Sequence, residues 1–569
     1  MNQLSYSLPR VLETELARTL DDWQRQDKVS RLWQGDASLW SNADEADWLG
    51  WLNIVQQSLA QLEEVQSFVR GLVDSGIRQV VLLGMGGSSM APEVLRDTFG
   101  QQPGTLQLLV LDSTNPAQIH AVEKALDLAH TAFIVASKSG STLEPNILMA
   151  YFYRRMVEAV GAEQAADHFI AITDPGSSLE QKARKDGFRQ IFPGVPSIGG
   201  RFSALSLFGV VPAAVVGVDC KRLLENAQQM VTACSATAAV EDNPGVLLGA
   251  LLGVAANHGR DKLTLIASPR LASMGAWQEQ LIAESTGKQG KGVLPLDGEP
   301  LAAPSMYGDD RVFVYLRMNE SVDAEQERAI EQLQLAGQPV IRIEVTEVYN
   351  LGQEFFRWEI ATAVIGSLLQ VNPFDQPDVE ASKIKTRNLM GAFATDQTLP
   401  GEVPLAEDGQ LSLFADARNA ADLGDHCGEH ATLADYLKAH LARIKQGDYL
   451  AFLAYIERNQ AHTRAIQAMR ARLRDSKKVA TCLGFGPRFL HSTGQYYKGG
   501  PNNGVFLQLS CDAVHDLPVP FERYSFAMAE AAQGRGDFEV LAERGRRALR
   551  IHLGRDVEAG LQRLGELLS

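Results

Sequence analysis

Short apolar runs that end in turn residues alternate with helical segments in two series along this chain, and this alternation restricts its fold most strongly. The runs of the first series are at residues 80–83, 106–111, 133–136 and 169–172. Helical patterns separate them at residues 92–99, 117–129 and 146–160. After a helical linker, the second series has runs at residues 263–267, 293–296, 312–316 and 340–345. Because strands alternating with helices form parallel sheets covered on both faces, the pattern predicts an α/β protein with two doubly wound parallel sheets.

The segments outside these two series predict additional parts of the molecule. The N-terminal residues read as helices, because five tryptophans lie there among apolar residues at helical spacings: Trp23, Trp33, Trp40, Trp48 and Trp51. The region around Pro400 and Pro404 is rich in Gly, Asp, Glu and Ala, which indicates an acidic surface excursion or linker. A C-terminal helical extension is expected, with helices over 432–474 and from 523 onward, around strands at 479–483 and 505–509. The predicted units are 1–65, 66–220, 221–393, 394–431 and 432–569.

The charge and cysteine content exclude several classes of partner and location. The net charge of −16 argues against sequence-independent binding to nucleic acid or to an anionic membrane. The most apolar run, about 204–218, is shorter than the roughly 20 residues of a membrane span. No secretory signal is visible at the N-terminus, and the five cysteines are dispersed without a CxxC pair. A cytoplasmic protein with reduced thiols is therefore expected.

Two turns that follow strands of the first series have the composition of anion sites. The turn at 84–89 reads GMGGSS, and its glycines allow backbone amides to approach an anion near a helix start. The turn at 137–142 reads SKSGST and places four hydroxyls and Lys138 before the next helix. Hydroxyl and amide donors at a helix entrance suit a dianionic phosphoryl group. A tight structural turn remains the alternative for the first, and a capped serine-rich loop for the second. Glu144 is interpreted as a favourable first-turn acid.

Glu284 has the features of a general base. The expected helix over 276–284 stops at Gly287, so this carboxylate faces the negative end of the helix dipole. That setting suits a group that takes up and returns a proton near neutral pH. The alternative is an ordinary solvated charge at a helix end.

Two basic residues occupy settings that suit the stabilisation of charge on a reacting oxygen. Arg201 follows Gly199 and Gly200, which allow close backbone approach and a fixed guanidinium. Lys383 follows Asp375 by eight residues. The alternatives are a salt-bridged surface arginine and an exposed lysine.

Histidine and cysteine residues in the C-terminal third of the chain are candidates for catalytic and metal-binding groups. His491, in the sequence HSTGQ, has a side chain whose ordinary pKa suits proton shuttling near neutral pH. A second group lies close together in sequence and consists of Asp425, His426, Cys427, Glu429 and His430. Its spacing matches no familiar zinc site with four ligands, so no metal site is predicted.

The motifs GMGGSS, SKSGST, GGR, ESTGK and NPFDQP, in this order, resemble those of the phosphoglucose isomerase family, which is built from sugar-isomerase (SIS) domains. The likeness covers roughly residues 66–390 and returns at 484–510, where HSTGQ resembles the segment of the family's ring-opening histidine. In most members that segment lies between the glutamate and lysine motifs, whereas here it follows both. This order is most similar to the isomerase half of bifunctional transaldolase/phosphoglucose isomerase proteins. Thr286 stands where family members usually have Asn.

The resemblance implies reversible isomerisation of glucose 6-phosphate and fructose 6-phosphate, in glycolysis and gluconeogenesis, without a cofactor or metal. It implies that His491 and Lys383 open the sugar ring, that Glu284 transfers the proton and that Arg201 stabilises a cis-enediolate. The implied substrate contacts are Gly87, Ser88, Ser137, Lys138, Ser139, Ser141, Thr142, Gly200, Gln280 and Gln376.

Two alternatives in function and two in assembly stay open. The functional alternatives are a dual phosphoglucose/phosphomannose isomerase and a non-catalytic SIS sensor of sugar phosphates. In the usual dimeric members, the resemblance implies that the ring-opening histidine reaches the neighbouring subunit's site. Here about 100 residues separate Lys383 from His491, which permits His491 to serve its own chain. A monomer or a homodimer is therefore expected.

Overall fold

The computed structural model describes residues 1–396, 400–428 and 430–568. Residues 397–399, within the predicted excursion 394–431, and Glu429, from the candidate metal group, lie outside the described residues. The strands are β1 Gln3–Ser7, β2 Gln79–Gly84, β3 Gln107–Leu111, β4 Thr131–Ala136, β5 Phe169–Thr173, β6 Gln190–Pro193, β7 Lys262–Ala267, β8 Leu294–Leu296, β9 Arg311–Met318, β10 Val340–Val345, β11 Ala406–Asp408, β12 Leu411–Phe414, β13 Tyr449–Tyr455, β14 Ala480–Phe485, β15 Gly504–Ser510 and β16 Arg547–His552.

Helices connect and cover these strands. They are α1 Arg10–Arg25, α2 Lys28–Trp33, α3 Ile54–Ala60, α4 Leu62–Asp74, α5 Met90–Phe99, α6 Pro116–Lys124, α7 Leu143–Val160, α8 Ala162–Ala165, α9 Ser178–Asp186, α10 Leu207–Val215, α11 Cys220–Ala233, α12 Pro244–Asn257, α13 Met274–Thr286, α14 Ala324–Leu335, α15 Leu351–Leu369, α16 Pro377–Asp396, α17 Ala417–Gly424, α18 Leu433–Ala442, α19 Gln460–Lys477, α20 Gly494–Gly499, α21 Phe526–Glu543 and α22 Val557–Leu567.

The predicted α/β class and its two parallel sheets are confirmed. The first sheet has the order β3-β2-β4-β5-β6, and all its neighbouring strands are parallel. The second has the order β1-β10-β9-β7-β8 and is parallel except for β1. The inner strands β2, β4 and β7 are mostly apolar and almost fully buried, as expected for sheets with helices on both faces.

A third sheet corrects the predicted C-terminal helical extension. Its order is β11-β12-β16-β15-β13-β14, and β13 to β16 are parallel. The predicted helices over 432–474 were wrong at β13, and those from 523 onward were wrong at β16. Strands β11 and β12 lie in the segment that was expected to be a linker, and β12 pairs with β16. The sequence YLAFLAY of β13 is uniformly apolar, so its periodicity does not separate a buried strand from a buried helix.

The N-terminal segment also departs from the expectation of helices alone. β1 pairs antiparallel with β10 and so completes the second sheet. The helices that follow pack into one apolar core with both sheets, and Trp23 and Trp51 are fully buried there. This core fixes the two sheets relative to each other. A further apolar cluster joins Ala283 of α13 to Phe489 and Tyr496, and it holds the third sheet beside α13.

Candidate active site

The glycine turn after β2 permits close contact between two backbone segments. A Cβ atom on Gly87 would lie 1.8 Å from the carbonyl oxygen of Gly200. Only glycine therefore allows the 3-10 turn Gly86–Ser88 to pack against the 3-10 turn Gly200–Phe202. The same packing brings Ser88, Lys138 and Gly200 to the lining of one small cavity of about 10 Å³. The two predicted turns after β2 and β4 thus meet the arginine turn at one place.

Arg201 is buried, and every nitrogen of its guanidinium has a partner. Its Nε donates to Ser285 Oγ over 2.6 Å, and its Nη1 donates to Gln376 Oε1 over 3.0 Å. Its Nη2 donates to the carbonyls of Pro373 at 2.7 Å and Asp375 at 3.0 Å. The planar group is therefore held in one orientation by the ESTGK and NPFDQP segments.

Glu284 lies in the last turn of α13 beside this guanidinium. Its Oε1 is 3.2 Å from Arg201 Nη1, and its side chain is 10% exposed. Gln280, one turn earlier, donates from Nε2 to Glu284 Oε2 over 3.1 Å and to the carbonyl of His491 over 2.9 Å. Burial lowers the pKa of Arg201, and the charges of Glu284 and Asp375 oppose that change. The carboxylate and the guanidinium consequently form one electrostatic unit with little solvent around it.

Lys288, the last residue of the ESTGK motif, lies behind this unit and was not predicted as a site residue. Its Nζ is 2.7 Å from Asp375 Oδ1 and also donates to the carbonyl of Asn372. Burial and the neighbouring Arg201 lower the pKa of Lys288 to about 7, while Asp375 and Glu284 oppose the change. Lys288 therefore fixes the loop that carries Gln376 and the carbonyl partners of Arg201.

His491 reaches the site of its own chain. Its carbonyl accepts from Gln280, and its ring Nε2 lies 3.0 Å from Glu144 Oε1. A Cβ on Gly86 would lie 3.2 Å from the His491 Cβ, so the histidine turn packs directly on the glycine turn. The relocated C-terminal segment thus returns to the loops of the first sheet.

Glu144 is the main feature that the sequence interpretation missed. Its carboxylate is buried in the first turn of α7 and accepts from His491, so it is more than a favourable first-turn acid. Burial acts to raise the pKa of Glu144, but the charge of His491, the hydrogen bond from its ring and the charge of Lys383 outweigh burial and lower it. The signal available in the sequence was its position two residues after the serine-rich turn.

The serine-rich turn offers hydroxyls at the start of α7. Ser139 and Ser141 are exposed and lie 3.0 Å apart at their Oγ atoms, whereas Ser137 is buried and bonds Thr142. Thr142 is the N-cap of α7, and its side chain makes no capping hydrogen bond. The first-turn amides of this 18-residue helix therefore face a set of hydroxyls suited to an anion.

Two predicted lysines have partners of their own. Lys138 pairs with Asp174 and donates to the carbonyl of Pro196 over 3.0 Å, so its ammonium already has two partners within the protein. Lys383, on α16, pairs with Glu380 over 2.6 Å, and its side chain is 38% exposed. It is close enough to affect the ionisation of Glu144. Lys138 remains a predicted substrate contact, and Lys383 remains a predicted catalytic residue.

The described residues contain neither a metal-binding group nor a membrane-spanning helix. Within residues 1–396, 400–428 and 430–568, no group of three or more His, Cys, Asp and Glu side chains is arranged to hold a metal ion. Over the same ranges, no helix is long and apolar enough to span a membrane.

Known proteins are similar to this chain in sequence. The sequence model of the phosphoglucose isomerase family matches residues 42–295. A probable glucose-6-phosphate isomerase from Haloarcula marismortui is 28% identical over 67% of this chain and 92% of that protein. Glucose-6-phosphate isomerase from Parabacteroides distasonis is 29% identical over 59% of this chain and 86% of that protein.

Solved structures match the fold over a similar share of the chain. A hypothetical protein from Thermus thermophilus has a TM-score of 0.59 and 25% identity, covering 68% of this chain and 99% of that chain. A glucose-6-phosphate isomerase from Chlamydia trachomatis has a TM-score of 0.51 and 21% identity, covering 65% of this chain and 78% of that chain. Over residues 42–295 the chain thus carries the sequence pattern of the phosphoglucose isomerase family, and its relatives of 28–29% identity are glucose-6-phosphate isomerases.

Proposed function

We propose that this protein is a glucose-6-phosphate isomerase, which interconverts glucose 6-phosphate and fructose 6-phosphate. The observation that carries the proposal is the unit formed by Glu284 and Arg201, which Gln280 links to His491 within one chain. A sensor of sugar phosphates needs the binding turns but has no need of a carboxylate paired with a fixed guanidinium. The names of the relatives support the same activity.

The phosphate group binds at the serine-rich turn. Ser139, Ser141 and Thr142 donate hydroxyls, and the amino end of α7 adds its partial positive charge. The protein has a net negative charge and therefore repels an anionic substrate. The hydroxyls and the helix end offset this repulsion at the serine-rich turn. Binding of the phosphate places the sugar ring between the glycine turn and α13.

Ring opening uses His491. The ionised carboxylate of Glu144 accepts a hydrogen bond from the Nε2–H of His491, which leaves Nδ1 as the nitrogen with a free lone pair. The histidine and Lys383 then exchange protons with the ring oxygen and the hydroxyl of the hemiacetal or hemiketal carbon, so that the carbon–oxygen bond of the ring breaks.

Isomerisation uses Glu284. In the open-chain aldose, its carboxylate removes the proton from C2 to give a cis-enediolate and returns that proton to C1, while the hydroxyl proton passes from O2 to O1. Arg201 stabilises the negative charge that develops on the enediolate oxygens. Because its orientation is fixed before substrate binds, little reorganisation accompanies the reaction.

We further propose that each subunit has a complete site, whether the protein is a monomer or a homodimer, and that it acts in the cytoplasm on a free sugar phosphate. The route of His491 into its own chain's site supports the first statement. The five cysteines, which are all unpaired, support a reducing location.

The decisive experiment is turnover of fructose 6-phosphate by purified protein. We expect glucose 6-phosphate to form without added metal or nucleotide, as measured by a coupled dehydrogenase assay. Mannose 6-phosphate should be tested as product in the same reaction. Binding of fructose 6-phosphate without turnover would favour the sensor and contradict the proposal.

A further inference from the structure

Helix α21, in the C-terminal part of the chain, buries three polar side chains on one side. They are Glu530, Gln533 and Asp537, spaced three and four residues apart, and all are less than 9% exposed. This spacing places them along one helix face. Burying a polar side chain costs free energy unless it forms hydrogen bonds. The hydrogen-bond partners of these three residues therefore show which parts of the protein α21 holds in place.

The middle residue, Gln533, contacts the histidine–carboxylate pair. Its Nε2 donates to Glu144 Oε1 over 2.6 Å, and its Oε1 accepts from Thr114 Oγ1 over 2.7 Å. An ionised carboxylate only accepts hydrogen bonds, so the amide must present its nitrogen to Glu144 and its oxygen to Thr114. The orientation of the amide is therefore determined by its two partners.

The flanking residues tie α21 to both sides of the site. One turn earlier, Glu530 accepts from Asn115 Nδ2 over 3.0 and 3.1 Å. One turn later, Asp537 pairs over 2.6 Å with Lys498, and both side chains are at most 1% exposed. Lys498 lies on α20, just beyond His491. The helix thus bridges the loop after β3 and the segment that carries the histidine.

We propose that Gln533 is a positioning residue for ring opening, which holds Glu144 so that its Oε1 meets the Nε2–H of His491. The proposal rests on the proposed isomerase function. Among the hydrogen bonds and ion pairs of the described residues, none joins Gln533 to Glu284 or Arg201. Its loss should therefore impair ring opening and spare proton transfer on an open-chain substrate.

The kinetic experiment compares two substrates in wild type and Gln533→Leu. Fructose 6-phosphate must be opened, whereas 5-deoxyfructose 6-phosphate has no 5-hydroxyl with which to close a ring. We expect kcat/KM of the variant to fall about tenfold for the first substrate, because a hydrogen bond to a charged group is lost, and less than about twofold for the second. Equal losses on both substrates, or no loss on either, would overturn the proposal.

A spectroscopic readout tests the same residue without turnover. Nitrogen-15 NMR of the His491 ring should show one Nε2–H tautomer in the wild type and a mixture of tautomers in Gln533→Leu. An unchanged spectrum in a folded variant contradicts the positioning role. If wild type shows the ordered tautomer but no isomerase activity, the proposed function fails while the role of Gln533 is still decided by NMR.

Two further variants separate positioning from stability. Gln353→Leu removes a buried glutamine that bonds Asn2 and Gln229, far along the chain from this pair, and should leave the His491 tautomer and substrate ratio unchanged. Should Gln533→Leu not fold, Gln533→Asn retains an amide that is too short to reach Glu144. It should give the same selective loss on the cyclic substrate, and wild-type behaviour of Gln533→Asn would refute the proposal.

Discussion

The first and second sheets have the same order of connections but contribute to the site from opposite ends. In the first sheet, β3 lies on one side of β2, and the next strand along the chain, β4, lies on the other side. The second sheet repeats this arrangement, with β8 and β9 on either side of β7. In the first sheet the site uses the loops at the carboxyl ends of these strands, where ligands of such sheets usually bind. In the second sheet it uses the far end of α13, whose 13 residues run back roughly 20 Å from the carboxyl edge of β7.

Under the proposed function, this difference separates phosphate binding from proton transfer between the carbons. The first sheet supplies exposed hydroxyls on a turn, which we propose hold the phosphate in the ground state and the transition state alike. The second supplies Glu284 on a helix packed in the core, beside an arginine with no freedom to move. Groups that must be placed accurately for reaction lie on the more rigid part.

The sharpest test of this separation is Glu284→Gln. It should lower kcat roughly 10²–10⁴-fold with little change in KM, because the general base is lost while the phosphate turn is intact. Steady-state kinetics with fructose 6-phosphate measures both constants. Glu279→Gln is the matched control on the same helix, since its Oε1 accepts from the Asp297 amide on another side. Retention of wild-type kcat by Glu284→Gln would refute its assignment as the base.

Contact between two turns of the first sheet, the glycine turn after β2 and the arginine turn after β6, can be broken at Gly87. Gly87→Ala places a methyl group against the Gly200 carbonyl and should reduce the free energy of unfolding by about 1–3 kcal/mol, as overpacking does. Denaturant midpoints measure the loss. Gly200→Ala is the control for stability, because its Cβ would meet no atom within 4 Å. Equal stability of the two variants would show that the turns are not in close contact.

The binding side is tested by Ser139→Ala combined with Thr142→Ala. KM for fructose 6-phosphate should rise about tenfold, with a smaller change in kcat, because a phosphate contact acts in both ground and transition states. Ser321→Ala changes the loop after β9, the corresponding position in the second sheet, and should leave KM unchanged. An unaltered KM in the double variant would place the phosphate elsewhere.

The smallest expected effect comes from mixing two inactive proteins. Glu284→Gln and His491→Ala chains, combined under conditions that allow subunit exchange, should recover no activity because each wild-type site is complete within one chain. Kinetics before and after mixing provides the measurement. Recovery in the mixture would mean that His491 serves a neighbouring subunit.

The strands of the first two sheets were predictable where they are apolar runs bounded by turn residues. β10 was expected with its observed bounds, and β2, β4 and β7 within two residues of theirs. β1 was missed because its sequence QLSYS is short and half polar, so only pairing with β10 makes it a strand. β13 was missed because an apolar run of seven residues suits either a strand or a helix.

In the candidate site, too, the sequence predicts only residues that lie in recognisable local motifs. Glu284 and Arg201 stand in recognisable local motifs, and the structure brings them together as one ion pair. Glu144 has an ordinary local explanation as a first-turn acid, and its partner His491 is 347 positions away. Gln533 has no local signal, because neither Thr114 nor Glu144 lies near it in sequence. Residues that act through distant contacts become visible only when the fold is known.

The return of the C-terminal segment to the first sheet makes the site late to assemble during synthesis. Gln533 follows Glu144 by 389 positions. At roughly 5–20 residues per second, roughly 20–80 seconds pass between their exit from the ribosome. A nascent chain therefore contains the serine-rich turn, and later Arg201 and Glu284, well before it has His491. Under the proposed function, a chain terminated before His491 would carry the proton-transfer pair but lack the ring-opening group.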